Sequence, residues 1–299
     1  MIIFFMSRTP IALLFAGCIA ATLLVDALAE TENPREFWAF QKPVETAPGN
    51  TQLDWGLNKI DAYIIARLEE NGLNPSEPAS KRELIRRATF DLWGLPPTPE
   101  AVEAFVKDDS PEAYERLIDR LLASQHYGEK WGQLWLDVIR FSESEGFEYD
   151  RHLPGAWRFR DYVIRSFNED KPFDQFITEQ LAGDEKESPT EDDYISVGFH
   201  RFGPVRRNAG NPEIALSRNE VLTERTDIIG SAFLGITMGC ARCHEHKLDP
   251  FSQKDYYSLQ AFLGSTQEYN KFKAPQEVID TWQAETDAIQ AEIDTLKGK

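Results

Sequence analysis

The sequence predicts a mainly α protein, with a single irregular domain of several helices followed by a long C-terminal helical arm. Three observations support this prediction. Apolar residues recur at three- and four-residue spacings through most of the chain. Capping residues, and prolines at first helical positions, mark where helices begin. Strand alternation and hairpin turn signals are almost absent.

The first 29 residues have the pattern of a signal peptide. Arg8 precedes an almost unbroken apolar run at residues 10–25, and residues 27–29 (Ala-Leu-Ala) supply the small residues that a signal peptidase recognises. The run is short for a bilayer crossing, so we expect cleavage and no membrane span afterwards. A lipid anchor at Cys18 is a weaker alternative, because the apolar run continues beyond it. The sequence therefore predicts a periplasmic or secreted protein.

Helices are predicted in order along the remaining chain. Residues 30–54 predict an extended N-terminal segment, in which residues 37–40 (Phe-Trp-Ala-Phe) would dock on the main body as an aromatic latch. The helical domain then spans residues 55–268. Its first four helices are expected from Ile60, after Ser80, after Thr98 and after Ser110-Pro111.

Helical patterning continues through residues 131–139, 157–167 and 173–181. Residues 184–193 predict a surface loop and residues 205–212 another. A helix from about residue 212 to 234 leads into a cysteine segment, after which Ser252 caps a short helix.

Residues 275–299 form a separate pattern. Val278, Trp282, Ile289, Ile293 and Leu296 fit a heptad-like stripe, with Glu285 at one seam position. This predicts a C-terminal helix that serves as a hairpin arm, a partner-binding helix or the lead-in to a further domain.

Composition limits the function classes. Once the signal peptide is removed, Cys240 and Cys243 are the only cysteines, so an ordinary hydrophobic core must supply the stability. The net charge is −18, without a basic cluster that could follow a phosphate backbone, so nucleic-acid binding is not expected.

The most informative motif is Cys240-Ala241-Arg242-Cys243-His244. This spacing is the attachment signature of haem c: two thiols add to the vinyl groups on one porphyrin edge, and the histidine binds the iron. Export favours this interpretation, because c-type maturation occurs outside the cytoplasm. The only methionine of the mature chain, Met238, is too close to the motif to reach the opposite face. The distal candidates are His126, His152 and His200.

Two other interpretations of the segment stay open. Cys240, Cys243, His244, His246 and Asp249 could together bind a metal such as zinc, although no second cysteine pair exists to complete a common structural site. The two cysteines could instead form a disulfide. Asp249-Pro250 is expected to cap the turn into the next helix. A carboxylate cluster at Asp137, Glu143, Glu145, Glu148 and Asp150 is a weak candidate for carbohydrate chemistry.

Several stretches together resemble a known family. They include residues 86–99 (RRATFDLWGLPPTP), 157–163 (WRFRDYV), 172–176 (PFDQF), 179–184 (EQLAGD) and 239–250 (GCARCHEHKLDP). The chain resembles the planctomycete-type secreted cytochrome-like domain, a family of unknown function, over about residues 36–265. The resemblance implies an exported protein with a haem site at Cys240, Cys243 and His244, and no established reaction.

The sequence thus predicts an exported c-type cytochrome-like protein that binds haem c and transfers electrons to a redox partner protein or a fused downstream domain. The alternative is an extracytoplasmic binding or structural module with a zinc site or disulfide, associated with polysaccharide degradation. Whether the protein is an enzyme is left open by the sequence.

Overall fold

The computed structural model describes residues 36–47, 58–145, 150–203, 214–267 and 274–298. It confirms the mainly α prediction, because these ranges contain eleven α-helices and no β-strand beyond one bridge between Ser144 and His152. The predicted signal peptide and the predicted loop at residues 205–212 lie outside the described residues. Among the described helices, none is both long enough and apolar enough to cross a bilayer.

The first four helices are α1 (Lys59–Glu70), α2 (Lys81–Trp93), α3 (Pro99–Lys107) and α4 (Ala113–Leu122). The side chains of Asn58, Ser80 and Thr98 cap the first three, and the starts after Ser80 and Thr98 are as predicted. Helix α4 follows Ser110-Pro111 as predicted, but it begins only at Ala113. Its N-cap is Glu112, which makes no side-chain cap bond, and the Ser110 hydroxyl oxygen accepts from the Arg116 guanidinium instead of from a helix amide.

Helices α2, α3 and α4 enclose a small core of their own. Ile85, Leu117 and Leu121 are almost fully buried in it, and Phe105 and Ala113 are buried beside them. The Trp93 indole closes one side by donating to the Leu121 carbonyl oxygen at 2.8 Å. Only α2 and α4 of this group pack appreciably on the next helix, so this core lies apart from the cysteine segment.

The most extensive helix pair in the described residues is α5 (Gln125–Val138) with α6 (Ala156–Asn168). Gly128 and Gly132 lie on the α5 face that meets α6, and both are buried. Helices approach closely where a residue lacks a Cβ. The Gly128 amide also donates to Asn168 Oδ1 at 2.8 Å, which fixes the register of the pair.

Residues 184–193 differ from the predicted surface loop. After α7 (Phe173–Ala182) the chain makes a 3₁₀ turn at Gly183–Glu185, and α8 (Glu191–Ser196) begins inside the predicted loop. The reason is a buried polar network: the Lys186 ammonium bridges the carboxylates of Glu179 and Asp193, both of which are buried. Asp193 is the one residue of the segment that is buried, whereas residues 185–188 are exposed, as in the predicted loop.

The main core is aromatic. Phe159, Tyr162, Phe176 and Phe199 are nearly inaccessible to solvent and stack or meet edge-on with neighbouring rings. They come from α6, α7 and the 3₁₀ turn Val197–Arg201. The same core includes Ile228, Ile229 and Leu263, which connects it to the helices on either side of the cysteine segment.

Helix α9 (Ile214–Ile229) leads to the cysteine segment, and α10 (Gln253–Leu263) follows it. The predicted helix to residue 234 is nearly right, but its last turn, Gly230–Leu234, winds as a π-helix and ends at Gly235 with a left-handed φ of 65°. Such π turns are frequent near functional sites. The N-cap of α10 is Ser252, whose side chain and Asp255 form the predicted capping box. Asp249 lies in the turn before this cap, where its carbonyl oxygen accepts from the Phe251 amide at 2.8 Å.

The two ends of the described chain are exposed. The aromatic latch forms a 3₁₀ turn at Trp38–Phe40 in which no residue is buried, so it does not dock as a unit. Among the described residues, Phe40 is the only member of the latch with a ring contact to the main body, edge-on to Phe251 at 6.0 Å. The C-terminal helix α11 (Gln276–Lys297) is present as predicted and likewise buries none of its residues.

Candidate functional site

The C-x-x-C-H motif lies on a short 3₁₀ turn, Met238–Arg242, between α9 and α10. Side chains at i and i+3 of a 3₁₀ helix share one face. Met238 and Ala241 occupy the inner face and are buried against Tyr256, whereas Cys240 and Cys243 are exposed. The turn therefore presents both thiols together on its outer face, and both are free.

Helix α10 holds the outer end of this turn. The Arg242 carbonyl oxygen accepts hydrogen bonds from Gln253 Nε2 at 3.0 Å and from the Tyr257 hydroxyl at 3.2 Å. The Cys243 amide donates back to the Cys240 carbonyl oxygen at 3.4 Å, closing the turn. The positions of the thiols are thus set by the packing of α10 rather than by the motif itself.

His244 is exposed, and its ring has a defined orientation. Nδ1 lies 2.7 Å from the Glu245 carbonyl oxygen. A carbonyl oxygen only accepts, so Nδ1 carries the proton and Nε2 keeps its lone pair. This is the tautomer of a histidine that binds iron through Nε2 while its other nitrogen donates to a backbone carbonyl.

His246 has a different hydrogen-bonding pattern. Its Nδ1 accepts from the amides of Asp249 at 2.9 Å and Leu248 at 3.3 Å. The Asp249 carboxylate also lies 3.4 Å from Nδ1, a contact that is attractive only for a protonated ring. We assign the neutral ring, because two amides already donate to Nδ1. Nε2 then bears the proton, and His246 shapes the loop that connects the motif to α10.

The arrangement of these side chains gives no geometric support to the metal-site interpretation. Within the described ranges, no three His, Cys, Asp or Glu side chains come together as a metal-binding group. Of the predicted set, Cys240, Cys243 and His244 face outward, while His246 and Asp249 belong to the neighbouring loop.

The distal candidates lie on other elements. His200 is largely buried: its Nε2 bonds the Leu181 carbonyl oxygen at 3.1 Å, and its Nδ1 is inaccessible and unpartnered. Burial also lowers the pKa of His200. His126 stands on α5 against the Trp93 ring and pairs with Glu129 at 2.8 Å. His152 is exposed next to the bridge to Ser144.

A polar group behind the motif was not predicted from the sequence. The Asp227 carboxylate accepts a hydrogen bond from the buried Tyr256 hydroxyl at 3.0 Å, and a Cβ at Gly239 would lie 3.3 Å from the same carboxylate. Burial raises the pKa of Asp227, although the Tyr256 hydrogen bond opposes this effect. Glu224, one helical turn earlier, pairs with Arg140.

The only sequence signal that could have indicated the Asp227–Tyr256 pair is the polar inner face of α9. Thr223, Arg225 and Thr226 are buried although they are polar. The Arg225 side chain donates to the His200 carbonyl oxygen at 2.9 Å and to Thr266 Oγ1 at 2.7 Å. Arg140 has a left-handed backbone, with φ of 62°, a conformation that is costly for a residue with a side chain.

The predicted carboxylate cluster is dispersed. Glu143 pairs with Arg160 at 3.0 Å, and Asp150 accepts from the Ser144 hydroxyl at 2.5 Å. Glu148 lies outside the described residues. These contacts explain Glu143 and Asp150 as parts of the surface structure around the Ser144–His152 bridge.

Comparison with protein families identifies one match. The family model PSCyt2, described as a protein of unknown function (DUF1549), matches residues 59–268. The chain belongs to this family. The PSCyt2 match covers every helix from α1 to α10 and the whole cysteine segment. Comparisons with curated proteins and with solved structures gave no match.

Proposed function

We propose that this PSCyt2 protein is an exported c-type cytochrome-like protein, in which Cys240 and Cys243 attach one haem covalently and His244 coordinates its iron. The observation that carries the proposal is the outer face of the Met238–Arg242 turn. It holds two free, exposed thiols at i and i+3, followed by a histidine whose Nε2 is available.

The side chains present fit such a group. Thiols must be accessible and unpaired to add to the two vinyl groups, and both of these are. Once bound, haem would supply a one-electron redox centre. The chain's own contribution is to orient the ligand: the Glu245 carbonyl oxygen fixes the His244 tautomer, and Gln253 and Tyr257 fix the turn.

The second axial position has no assigned ligand. Met238 is buried against Tyr256 on the inner face of the turn, which removes it as an iron ligand. His200 is unsuited to the role in this conformation, because its Nε2 bonds the Leu181 carbonyl oxygen and its unpartnered Nδ1 is inaccessible to solvent. His126 and His152 remain as distal ligands if the chain closes over the haem; otherwise the position is open. We propose an open or weakly ligated site.

The location and partners of the protein follow from the sequence. A cleaved signal at residues 1–29 would deliver the chain to the periplasm or the exterior, where haem c is assembled. The acidic chain would exchange electrons with a partner protein or a downstream domain, by complementary charge.

Expression in a host with haem c maturation machinery tests the proposal. We expect a Soret band and a haem that stays on the chain after denaturation. Cys243→Ser should leave at most one thioether. His244→Ala should change the axial-ligand spectrum, whereas His126→Ala and His152→Ala should leave it unchanged, because the second axial position is proposed to be open or weakly ligated.

Two other results would contradict the proposal. A colourless protein with stoichiometric zinc would assign the cysteine segment to a metal-binding module. A colourless protein with a Cys240–Cys243 disulfide would assign it a structural or thiol-redox role. Both outcomes are measured on the same preparation by metal analysis and thiol titration.

A further inference from the structure

Helix α11 has an apolar face that the described part of the chain does not cover. None of its residues is buried, and Trp282, Ile289 and Leu296 are 47, 59 and 64% exposed. Exposed apolar side chains in such a row are the usual mark of an interaction surface.

The helix carries an internal repeat of seven residues. Gln276, Gln283 and Gln290 each donate a side-chain hydrogen bond to the aspartate four residues later, at 2.8, 2.8 and 2.9 Å. An apolar residue follows each aspartate by two positions: Trp282, Ile289 and Leu296. This period of seven is the signature of a coiled coil, whose two helices meet along the a and d positions.

The repeat fixes which residues form the seam. Spacings of three and four place Ile279, Thr286 and Ile293 at a, and Trp282, Ile289 and Leu296 at d. This seam differs from the stripe predicted from the sequence, because Ile279 and Thr286 take the places of Val278 and Glu285. The single polar residue of the seam, Thr286, satisfies its hydroxyl by donating to the Trp282 carbonyl oxygen at 2.8 Å, so its methyl group is left to pack.

The residues that flank the seam, at the e and g positions, favour a parallel pair of helices over an antiparallel one. In a parallel pair, each g position faces the e position five residues later on the other helix. Val278 then meets Gln283, Glu285 meets Gln290, and Glu292 meets Lys297, with no pair of like charges. An antiparallel pair would instead place g opposite g, bringing glutamates together. Asp280, Asp287 and Asp294 occupy b positions, which point away from the seam.

We propose that α11 pairs with α11 of a second copy of this chain as a parallel, two-stranded coiled coil. In the last heptad, Ile293 at a and Leu296 at d are the combination that favours two strands, whereas Ile289, at the central d position, does not share this preference. The inference is independent of haem binding, because α11 makes no part of the cysteine segment.

Sedimentation velocity of the mature chain over a concentration series tests the pairing. We expect a monomer–dimer equilibrium. Ile289→Asp, at a d position, should weaken the dimer by at least about 100-fold, because it removes a buried apolar side chain and inserts a charge. The matched control Ala284→Asp adds the same charge at an outer f position and should leave the dimer intact.

The repeat also offers a matched test of direction. Gln290→Lys would place a lysine opposite Glu285 of the second copy, twice per dimer, and should tighten the dimer about three- to five-fold. Gln283→Lys makes the same change one heptad earlier, with the same aspartate four residues on, but faces Val278. It should leave the affinity unchanged.

A chain that stays monomeric at every concentration overturns the proposal and assigns the apolar face to a different partner or to another segment. So does a dimer that Ile289→Asp does not weaken. Equal effects of the two lysine variants would overturn the parallel arrangement.

Discussion

Replacing Gly128 with alanine should destabilise the α5–α6 pair. A Cβ at this position would lie 2.5 Å from Asn168 Cγ and 2.6 Å from Asn168 Nδ2, and would also press on the Ile164 carbonyl oxygen of α6. Real Cβ contacts essentially never come so close. Since the Ile164 oxygen belongs to the backbone, relief requires the two helices to separate.

The magnitude follows from three contributions. Alanine gains about 1 kcal/mol over glycine in a helix interior. Loss of the hydrogen bond from the Gly128 amide to Asn168, 2.8 Å long, costs about 1 kcal/mol. Forcing apart a close-packed interface costs a further ~3 kcal/mol, at the upper end of the usual range for overpacking. The net expectation is a loss of about 3 kcal/mol.

Gly132→Ala is the matched control, one turn along the same helix. Its Cβ would meet Ile164 Cγ1 at 3.1 Å, a side-chain atom that can move by a few tenths of an ångström. We expect stability within about 1 kcal/mol of the parent, with a gain if the side chain yields. Urea titration followed by tryptophan fluorescence gives both values, with unchanged m-values as the two-state check. The reasoning is refuted if Gly128→Ala is as stable as the parent, or if both variants lose the same amount.

Three further predictions concern the site and the buried charges. Tyr256→Phe removes the donor to Asp227 and should lower the free energy of unfolding by about 1–3 kcal/mol at pH 7. Because burial raises the pKa of Asp227, this loss should shrink on acidification. A loss that does not change with pH would contradict this prediction. Burial alone would raise the pKa of Glu179, but hydrogen bonds from Lys171, Gln175 and Tyr162 hold it below its ordinary value of 4.5. The stability that ionised Glu179 contributes is therefore present above that value and is lost as the pH falls through the folded-state pKa. Glu179→Gln should cost about 3 kcal/mol at pH 7 and should flatten the acid limb of the curve of stability against pH. Urea titration from pH 7 to pH 3 measures both effects. Phe251→Leu should release the Trp38–Phe40 turn and speed proteolysis of residues 41–47, whereas Phe262→Leu, at an exposed position, should not.

Much of the helical architecture could be predicted because its signals are local. Asn71-Gly72, Ser80 with Glu83, Thr98-Pro99 and Ser252 with Asp255 each act within one helical turn, and the structure has helix ends at these places. Ser110 does not cap α4, also for a local reason: its hydroxyl oxygen accepts from the Arg116 guanidinium, a competing donor that the capping pattern does not take into account.

The features that could not be predicted depend on long-range contacts. Residues 184–193 have the composition of a solvated loop, yet Asp193 is buried because Lys186 and Glu179 lie beside it in space. The approach of Gly128 to α6 likewise depends on packing between separate helices.

Part of the candidate site could be predicted from the sequence, and part of it depends on the fold. Cys240, Cys243 and His244 are visible as a contiguous motif. Their common exposed face, the buried Asp227–Tyr256 pair behind them and the roles of His244 and His246 require the fold. Two histidines of equal appearance in the sequence thus have opposite hydrogen-bonding patterns: Nδ1 donates in His244 and accepts in His246.

The most direct test of the proposed function is the intact mass of the denatured protein after expression with haem c maturation machinery. The account predicts a mature chain that carries the mass of one haem, and a mass without haem when Cys240 and Cys243 are both replaced by serine. A mature chain of unmodified mass, with two titratable thiols or one disulfide, would contradict it.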